Sequence, residues 1–503
     1  MCKLRPAAVF GDHMVLQMGK EVAVFGKGET DRIVRVTLGK YEAIAKVLDG
    51  HFLLKLPAMP YGGPYVMTVS DGTECISFQD VYVGEVFLAG GQSNMELELQ
   101  NSEGGMEEVH AADCPKIRMY NVLKTPVLDE DALAQERKRT WKVCQPEAFF
   151  EVSAAAYYSA KRIWQELKVA VGVIDCYQGG TSATCWMSRE SLSSFPYGKE
   201  YLAGYDRDIK GKTEEEYDRE YEVFQSGVDE WNQRAEKLRK EAQELTDGEI
   251  IEKIGNCPWN PPKGAKSLFR PCGLYETMLS RVIPYTVRAV WYYQGEEDAV
   301  RAEQYEKLLT NLVAQWRKDY QEPELPFVIV QLPMFIEKGA EDDRQWAEIR
   351  KAQHEVCKKT NEAFMVCLID CGEFNNIHPK EKKTPGTRLG LRTLEAVFHK
   401  KITGGSPNFA KSVCRDGNSL IVSFEREEQL IVWGDSIPYF ELAGEDKVYR
   451  EAKAELASAT KLRVSCEEIK SPRYVRYAWV NYGRVSLFLE NGQPVPPFEI
   501  EDR

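Results

Sequence analysis

Over the first eighty residues, apolar and polar positions alternate in short runs: Glu21 to Phe25, Ile33 to Leu38, Phe52 to Leu56 and Tyr65 to Val69. Gly26, Gly28, Asp49-Gly50 and Asp71-Gly72 separate them. A period of two sends successive side chains to opposite faces of a sheet, and Asp-Gly between apolar runs favours a hairpin. The pattern predicts a β-sandwich-like domain over residues 1–82. From residue 83 to 403 the apolar runs become continuous, as in Val86-Phe87-Leu88-Ala89, Val171 to Ile174, Ala289 to Tyr292, Phe327 to Val330 and Phe364 to Ile369, with helical spacing between them. Strands buried on both faces read this way, so the fold class is α/β, a largely parallel sheet covered by helices. Beyond Gly404-Gly405-Ser406-Pro407 the alternation returns, in Leu420 to Phe424, Leu462 to Ser465 and Val485 to Leu489, and predicts a second, smaller β domain over 404–503.

A helical insertion at about 197–247 interrupts the middle region. Tyr217, Tyr221, Phe224, Val228, Trp231, Ala235, Leu238, Ala242 and Leu245 recur at steps of four and three, a heptad seam opened by Thr213 with Glu216 and stopped at Asp247-Gly248. One reading packs the helix against the helical stretch 197–208. The other makes it a lid, or the contact of a homodimer through 213–247.

Composition narrows the function classes. The 503 residues carry 65 Lys plus Arg against 78 Asp plus Glu, a net charge of -13, and no basic stretch is interleaved with aromatics. Nucleic acid is therefore not an expected partner. No window approaches the roughly 18 consecutive apolar residues of a membrane span, and the apolar run behind Met1-Cys2-Lys3 is too short for a secretory signal. The 13 cysteines form no CxxC pair, and Cys367 with Cys371 lacks a histidine pattern. No metal or organic cofactor is expected, and an odd number of thiols suits the reducing cytoplasm.

The candidate chemistry lies in Gly90-Gly91-Gln92-Ser93-Asn94-Met95, where a serine follows a buried strand through a glycine turn. Such a turn presents Ser93 at the sheet's carboxyl edge, where open α/β sheets bind ligands. A serine nucleophile needs a base and preorganised oxyanion donors. Of the six histidines, His378 alone stands in a loop after a core strand, Leu368-Ile369-Asp370. Donors are offered at two strand ends, by Gln178-Gly179-Gly180-Thr181 and by Tyr293-Gln294-Gly295-Glu296, where the Gln294 carboxamide donates without competing as a base.

These residues, together with Asp12 to Gln17, Gly84-Glu85-Val86, Trp186, Trp291 to Glu296, Trp346 to Gln353, Ile377-His378-Pro379 with Lys382, and Pro472 to Trp479, resemble the sialate O-acetylesterase family of SGNH hydrolases over nearly the whole chain. The resemblance implies an SGNH-like sheet flanked by two β domains. It also implies a serine esterase that removes acetyl groups from sugars, with Ser93 as nucleophile, His378 as base, and Gly180 (or Gly179) with Gln294 and the Ser93 amide as oxyanion hole. Related readings are a xylan- or mannan-oligosaccharide acetylesterase and a carbohydrate-binding protein without catalysis. Relatives carry an aspartate three residues before the histidine, where this chain has Asn375. An asparagine can orient the ring but brings no charge. A Ser-His dyad is therefore expected, with Glu296, Asp370 and Glu373 as the alternative carboxylates.

Overall fold

The computed structural model describes residues 3–242 and 245–502. Met1 and Cys2 of the amino-terminal reading, Gln243 and Glu244 of the helical insertion, and Arg503 lie outside the described residues. The fold is mixed α/β, and the chain forms two compact units: residues 1–229, 258–294 and 307–328, and residues 230–257, 295–306 and 329–503.

In the first unit, β1 (Ile33–Leu38) pairs antiparallel with β2 (Gly62–Ser70), and β2 with the start of β3 (Cys75–Gly91). The 17-residue β3 then continues past the change of pattern near residue 82 without a linker. Its side chains alternate between exposed and half-buried from Cys75 to Asp80, then are almost all buried from Val81 to Gly91. One strand thus leaves a sheet with one wet face and enters a sheet covered on both, which explains why the sequence pattern shifts there. Its second half pairs in parallel with β5 (Val171–Tyr177) and β6 (Ala289–Tyr293), and β5 also pairs with β4 (Ile117–Asn121). The order is β4-β5-β3-β6. Neighbours are added first on one side of β3 and then on the other, the kind of switch point beyond whose strand ends open α/β sheets bind ligands. In the register, Tyr177 and Tyr293 both lie opposite Gly91.

Helix α1 (Ser93–Glu96) follows β3 directly. Ser153 caps α2 (Ala154–Leu167), accepting from the Ala156 amide at 3.0 Å while its hydroxyl donates to the Met95 carbonyl at 2.6 Å, so α2 and α1 are tied together. The long insertion helix α3 (Glu214–Glu241) has the expected capping box between Thr213 and Glu216. Its first half spends the seam on residues 258–269: the Tyr217 ring covers Gly264, and Phe224 meets Trp259.

In the second unit, the Trp231 indole N–H donates to the Gly255 carbonyl at 2.7 Å. Asp247-Gly248, read as a stop, instead opens a further helix, α4 (Asp247–Ile254), with its own capping box of Thr246 and Glu249. Helix α5 (Gln345–Lys359), strand β7 (Ala363–Val366) and helix α6 (Lys383–Ala396) precede a seven-stranded antiparallel sheet built from residues 410–501. Met365, Cys367 and Ile369 share one core with Leu420, Val422, Phe440, Leu442, Val475 and Tyr477. The strand that leads to His378 is thereby held by the carboxyl-terminal sheet.

Candidate active site

The register of β5, β3 and β6 brings three loops to one edge of the first unit. The Gln92 amide donates to the Tyr293 carbonyl at 3.0 Å and the Gln178 amide to the Gly91 carbonyl at 3.2 Å, so each loop starts from its neighbour's backbone. Gly91 has φ +137°, and a Cβ there would lie 2.1 Å from the Tyr293 carbonyl oxygen. A side chain is excluded, and the chain turns at once into α1 with Ser93 at its first position, half-buried and reachable. The Glu96 carboxylate accepts the Gly179 amide and pairs with Lys124. That commitment turns the loop so that Gly180, at φ +64°, is the next glycine with an amide to offer. The buried Gln294 carboxamide donates to the Gln92 side-chain oxygen and to the Thr181 carbonyl, both at 3.1 Å, and so braces the serine loop against the glycine loop.

A Cβ on Gly179 would stand 3.3 Å from the Ser93 Cβ and 3.0 Å from Glu96 Oε2. Gly179→Ala is expected to shift the serine by tenths of an ångström and to lower kcat about tenfold or more with little change in melting temperature, as steady-state kinetics beside a thermal scan will show.

The second unit supplies the histidine. Both Asp370 oxygens accept from Arg388 of α6, at 2.6 and 2.7 Å, pinning the loop where it leaves β7. The His378 amide donates to Asn376 Oδ1 at 3.0 Å, and Asn376 Nδ2 to Glu373 at 2.7 Å. Helix α4 braces the loop from another side, with the Gly248 carbonyl accepting from Asn375 Nδ2 at 3.3 Å and Asp247 pairing with Lys380 at 3.0 Å and with Arg239 at 3.0 Å. The surrounding protein, then the Lys382 ammonium, push the His378 imidazole down to about 4, while the Asp247 carboxylate pulls it up. The ring nevertheless keeps an exposed face. Lys382 is itself pushed down to about 8 by burial, with Glu296 the largest opposing charge.

Removing the Asp247 charge is therefore expected to lower the His378 pKa further. In Asp247→Asn the His378 imidazole should titrate at lower pH than in the wild type, as NMR of its ring protons across pH will show.

Ser93, Gly179, Gly180 and Gln294 thus meet in the first unit, while His378 and Asn375 share one loop of the second, where Glu296 acts on Lys382. Asn375 does not orient the imidazole with its carboxamide: Oδ1 accepts from the Lys338 amide at 3.0 Å while Nδ2 serves Gly248. The backbone explains why an asparagine suits the position, since Asn375 has φ +56°. The field of Glu296 acts on Lys382. Sequence reasoning passed over the roles of Glu96 and Asp247. A carboxylate three residues after the serine was a signal for the first, whereas the second is brought to the histidine loop by tertiary packing. Among the described residues no group of three or more His, Cys, Asp or Glu side chains is placed to hold a metal ion, and no helix is long and apolar enough to cross a membrane.

A serine at a sheet's carboxyl edge in a mixed α/β fold, flanked by glycine amides and a carboxamide brace, defines a candidate hydrolase site. Residues 257–398 match the family model described as carbohydrate esterase, sialic acid-specific acetylesterase. The chain is 23% identical over 466 residues to the sialate O-acetylesterase of Mus musculus, covering 85% of this chain and 80% of that protein. It is 23% identical over 431 residues to that of Homo sapiens, covering 79% and 72%. A carbohydrate acetylesterase from Xanthomonas citri has the same fold, with a TM-score of 0.77 at 24% identity over 98% of this chain and 99% of that one. The chain is thus similar over most of its length to sialate O-acetylesterases, and over residues 257–398 to the carbohydrate esterase model.

Proposed function

We propose that this chain is a carbohydrate O-acetylesterase working through a Ser93 acyl-enzyme, on an SGNH-type sheet flanked by β domains at 1–82 and 404–503. The observation that carries the reading is the register that ends β3, β5 and β6 side by side, so that Ser93, Gly179-Gly180 and Gln294 issue from adjacent strand ends. His378 takes the Ser93 proton as Oγ attacks the acetyl carbonyl carbon. The tetrahedral oxyanion is held by the Ser93 and Gly180 amides, and the alcohol of the sugar leaves with the proton from His378. Water, deprotonated by the same imidazole, then attacks the acetyl carbonyl carbon, the bond to Oγ breaks as His378 returns its proton to Ser93, and acetate leaves. Gln294 braces the two donor loops and joins the oxyanion hole by exchanging a bond that its Nε2 donates to Gln92 or to Thr181. A dyad is favoured because both Asp370 oxygens bind Arg388 and Glu373 binds Asn376, while the Glu296 charge acts on Lys382. Among the described residues the cysteines form no disulfide, which suits a reducing, cytoplasmic setting.

The test has two parts. Acetate release is measured on O-acetylated sialic acid, xylo-oligosaccharides and manno-oligosaccharides, and the wild type is treated with a fluorophosphonate and digested for mass analysis. Turnover of at least one acetylated sugar with the adduct on the Ser93 peptide is the expected result. Binding of sugars with neither turnover nor adduct would leave the non-catalytic carbohydrate-binding reading in its place.

A further inference from the structure

An aromatic run leads from helix α3 to the oxyanion loop. Tyr217 and Tyr221 have ring centroids 5.9 Å apart, Tyr221 and Phe224 6.1 Å, Phe224 and Trp259 5.8 Å, and Trp259 and Phe269 5.5 Å. Both contacts of Trp259 are edge-to-face, at 68° and 87°. The indole is therefore held in place, yet it is 49% exposed. It also lies directly over Gly180: a Cβ on that glycine would come within 1.9 Å of the Trp259 ring carbon Cζ2 and 2.7 Å of Cε2. A single exposed apolar residue is ordinary on a protein surface. A tryptophan fixed by two aromatic neighbours over the glycine that offers its amide to the reaction is not accounted for by packing alone.

Chemistry says what would meet it. The carbonyl oxygen of the reacting acetyl group must come about 3 Å from the Gly180 amide. When the acetyl group sits on a ring hydroxyl, the sugar ring begins two bonds from that carbonyl carbon, and so falls beside the residue that covers Gly180. The C–H face of a pyranose is apolar and flat, and a large rigid indole loses little conformational entropy in covering it. We propose that Trp259 is the stacking platform for the pyranose ring of the substrate, selecting sugars acetylated on a ring hydroxyl. This rests on the esterase reading of Ser93. The insertion then has a purpose on this face of the first unit: the seam of α3 carries the aromatic wall whose exposed end is Trp259.

The experiment compares kcat/KM for acetylated xylobiose with that for ethyl acetate, which has the ester and no ring. In Trp259→Ala the ratio is expected to fall about tenfold or more, and in Trp259→Phe to stay within about threefold, because a smaller aromatic face remains. An unchanged ratio in Trp259→Ala overturns the proposal, including the case in which both esters slow together, since the indole would then only support Gly180. Binding is read separately, in Ser93→Ala, by tryptophan emission during titration with acetylated xylobiose. A saturable change that disappears when Trp259→Phe is added supports the platform, and its persistence or absence from the start overturns it. If the wild type cleaves neither ester, the esterase reading fails, while the titration still decides the platform.

Discussion

Ser93→Ala is expected to lower kcat for acetyl ester hydrolysis by on the order of 10⁵-fold or more while leaving the fold intact. The size follows from chemistry: without Oγ no acyl-enzyme forms, and what remains is the donors' help to a water attack. The fold should tolerate the change because Ser93 is half-buried at the first position of a short helix, where alanine is a good helix former. The loop is held by other groups: the Gln92 amide on Tyr293, the Gln178 amide on Gly91 and the Ser153 hydroxyl on Met95. None of these uses the Ser93 side chain. The measurement is acetate release beside a melting curve and a sugar titration. A variant that melts like the wild type, still binds the sugar and releases no acetate locates the loss in the nucleophile. Near-full turnover would remove Ser93 from the mechanism.

Much of this site is legible in the chain because its parts obey local rules. Continuous apolar runs mark strands buried on both faces, and glycine directly after such a run marks a turn no other residue fits, as Gly91 shows with a carbonyl 2.1 Å from where its Cβ would be. A histidine in a loop after a core strand follows the same logic. What was not legible depends on packing between distant segments. The joint at residue 82 is read as a domain boundary from the change of pattern, yet β3 runs through it, because the change from alternating to continuous burial happens when a sheet gains a second cover. Asp247-Gly248 reads as a helix stop, yet Thr246 and Glu249 start another helix there. The seam of α3 reads first as a hairpin and second as a lid or dimer face, since periodicity says that a face is covered and not by what. The commitments of Asn375 to Lys338 and Gly248 belong to the same class, for neither partner is near it in sequence.

His378→Asn is expected to cost nearly as much activity as Ser93→Ala, and the double variant little more than either, because base and nucleophile act as a unit. The pH dependence adds a signature that loss of fold cannot imitate. In the folded protein the imidazole is pushed from 6.5 down to about 4 by its surroundings and Lys382, so it is neutral, and able to accept the serine proton, well below the usual range. Its exposed face lets water weaken that push, so the acid limb of wild-type kcat/KM should fall between those two values. Stability carries the opposite sign. The unfolded chain takes up a proton on this residue as pH falls below 6.5, while the folded chain resists it until about 4. The contribution of His378 to stability is thus complete above 6.5 and is lost as pH falls through that window. The loss is smaller than the ~1.4 kcal/mol per pH unit of a fully buried group, because the ring is partly solvated. Asparagine has no proton to take up. His378→Asn should therefore melt relatively higher than the wild type at pH 5 than it does at pH 8, while being inactive at both. Thermal scans at the two pH values decide it: a difference between variant and wild type that does not change with pH would mean that His378 titrates normally, and its readiness as a base would need another cause.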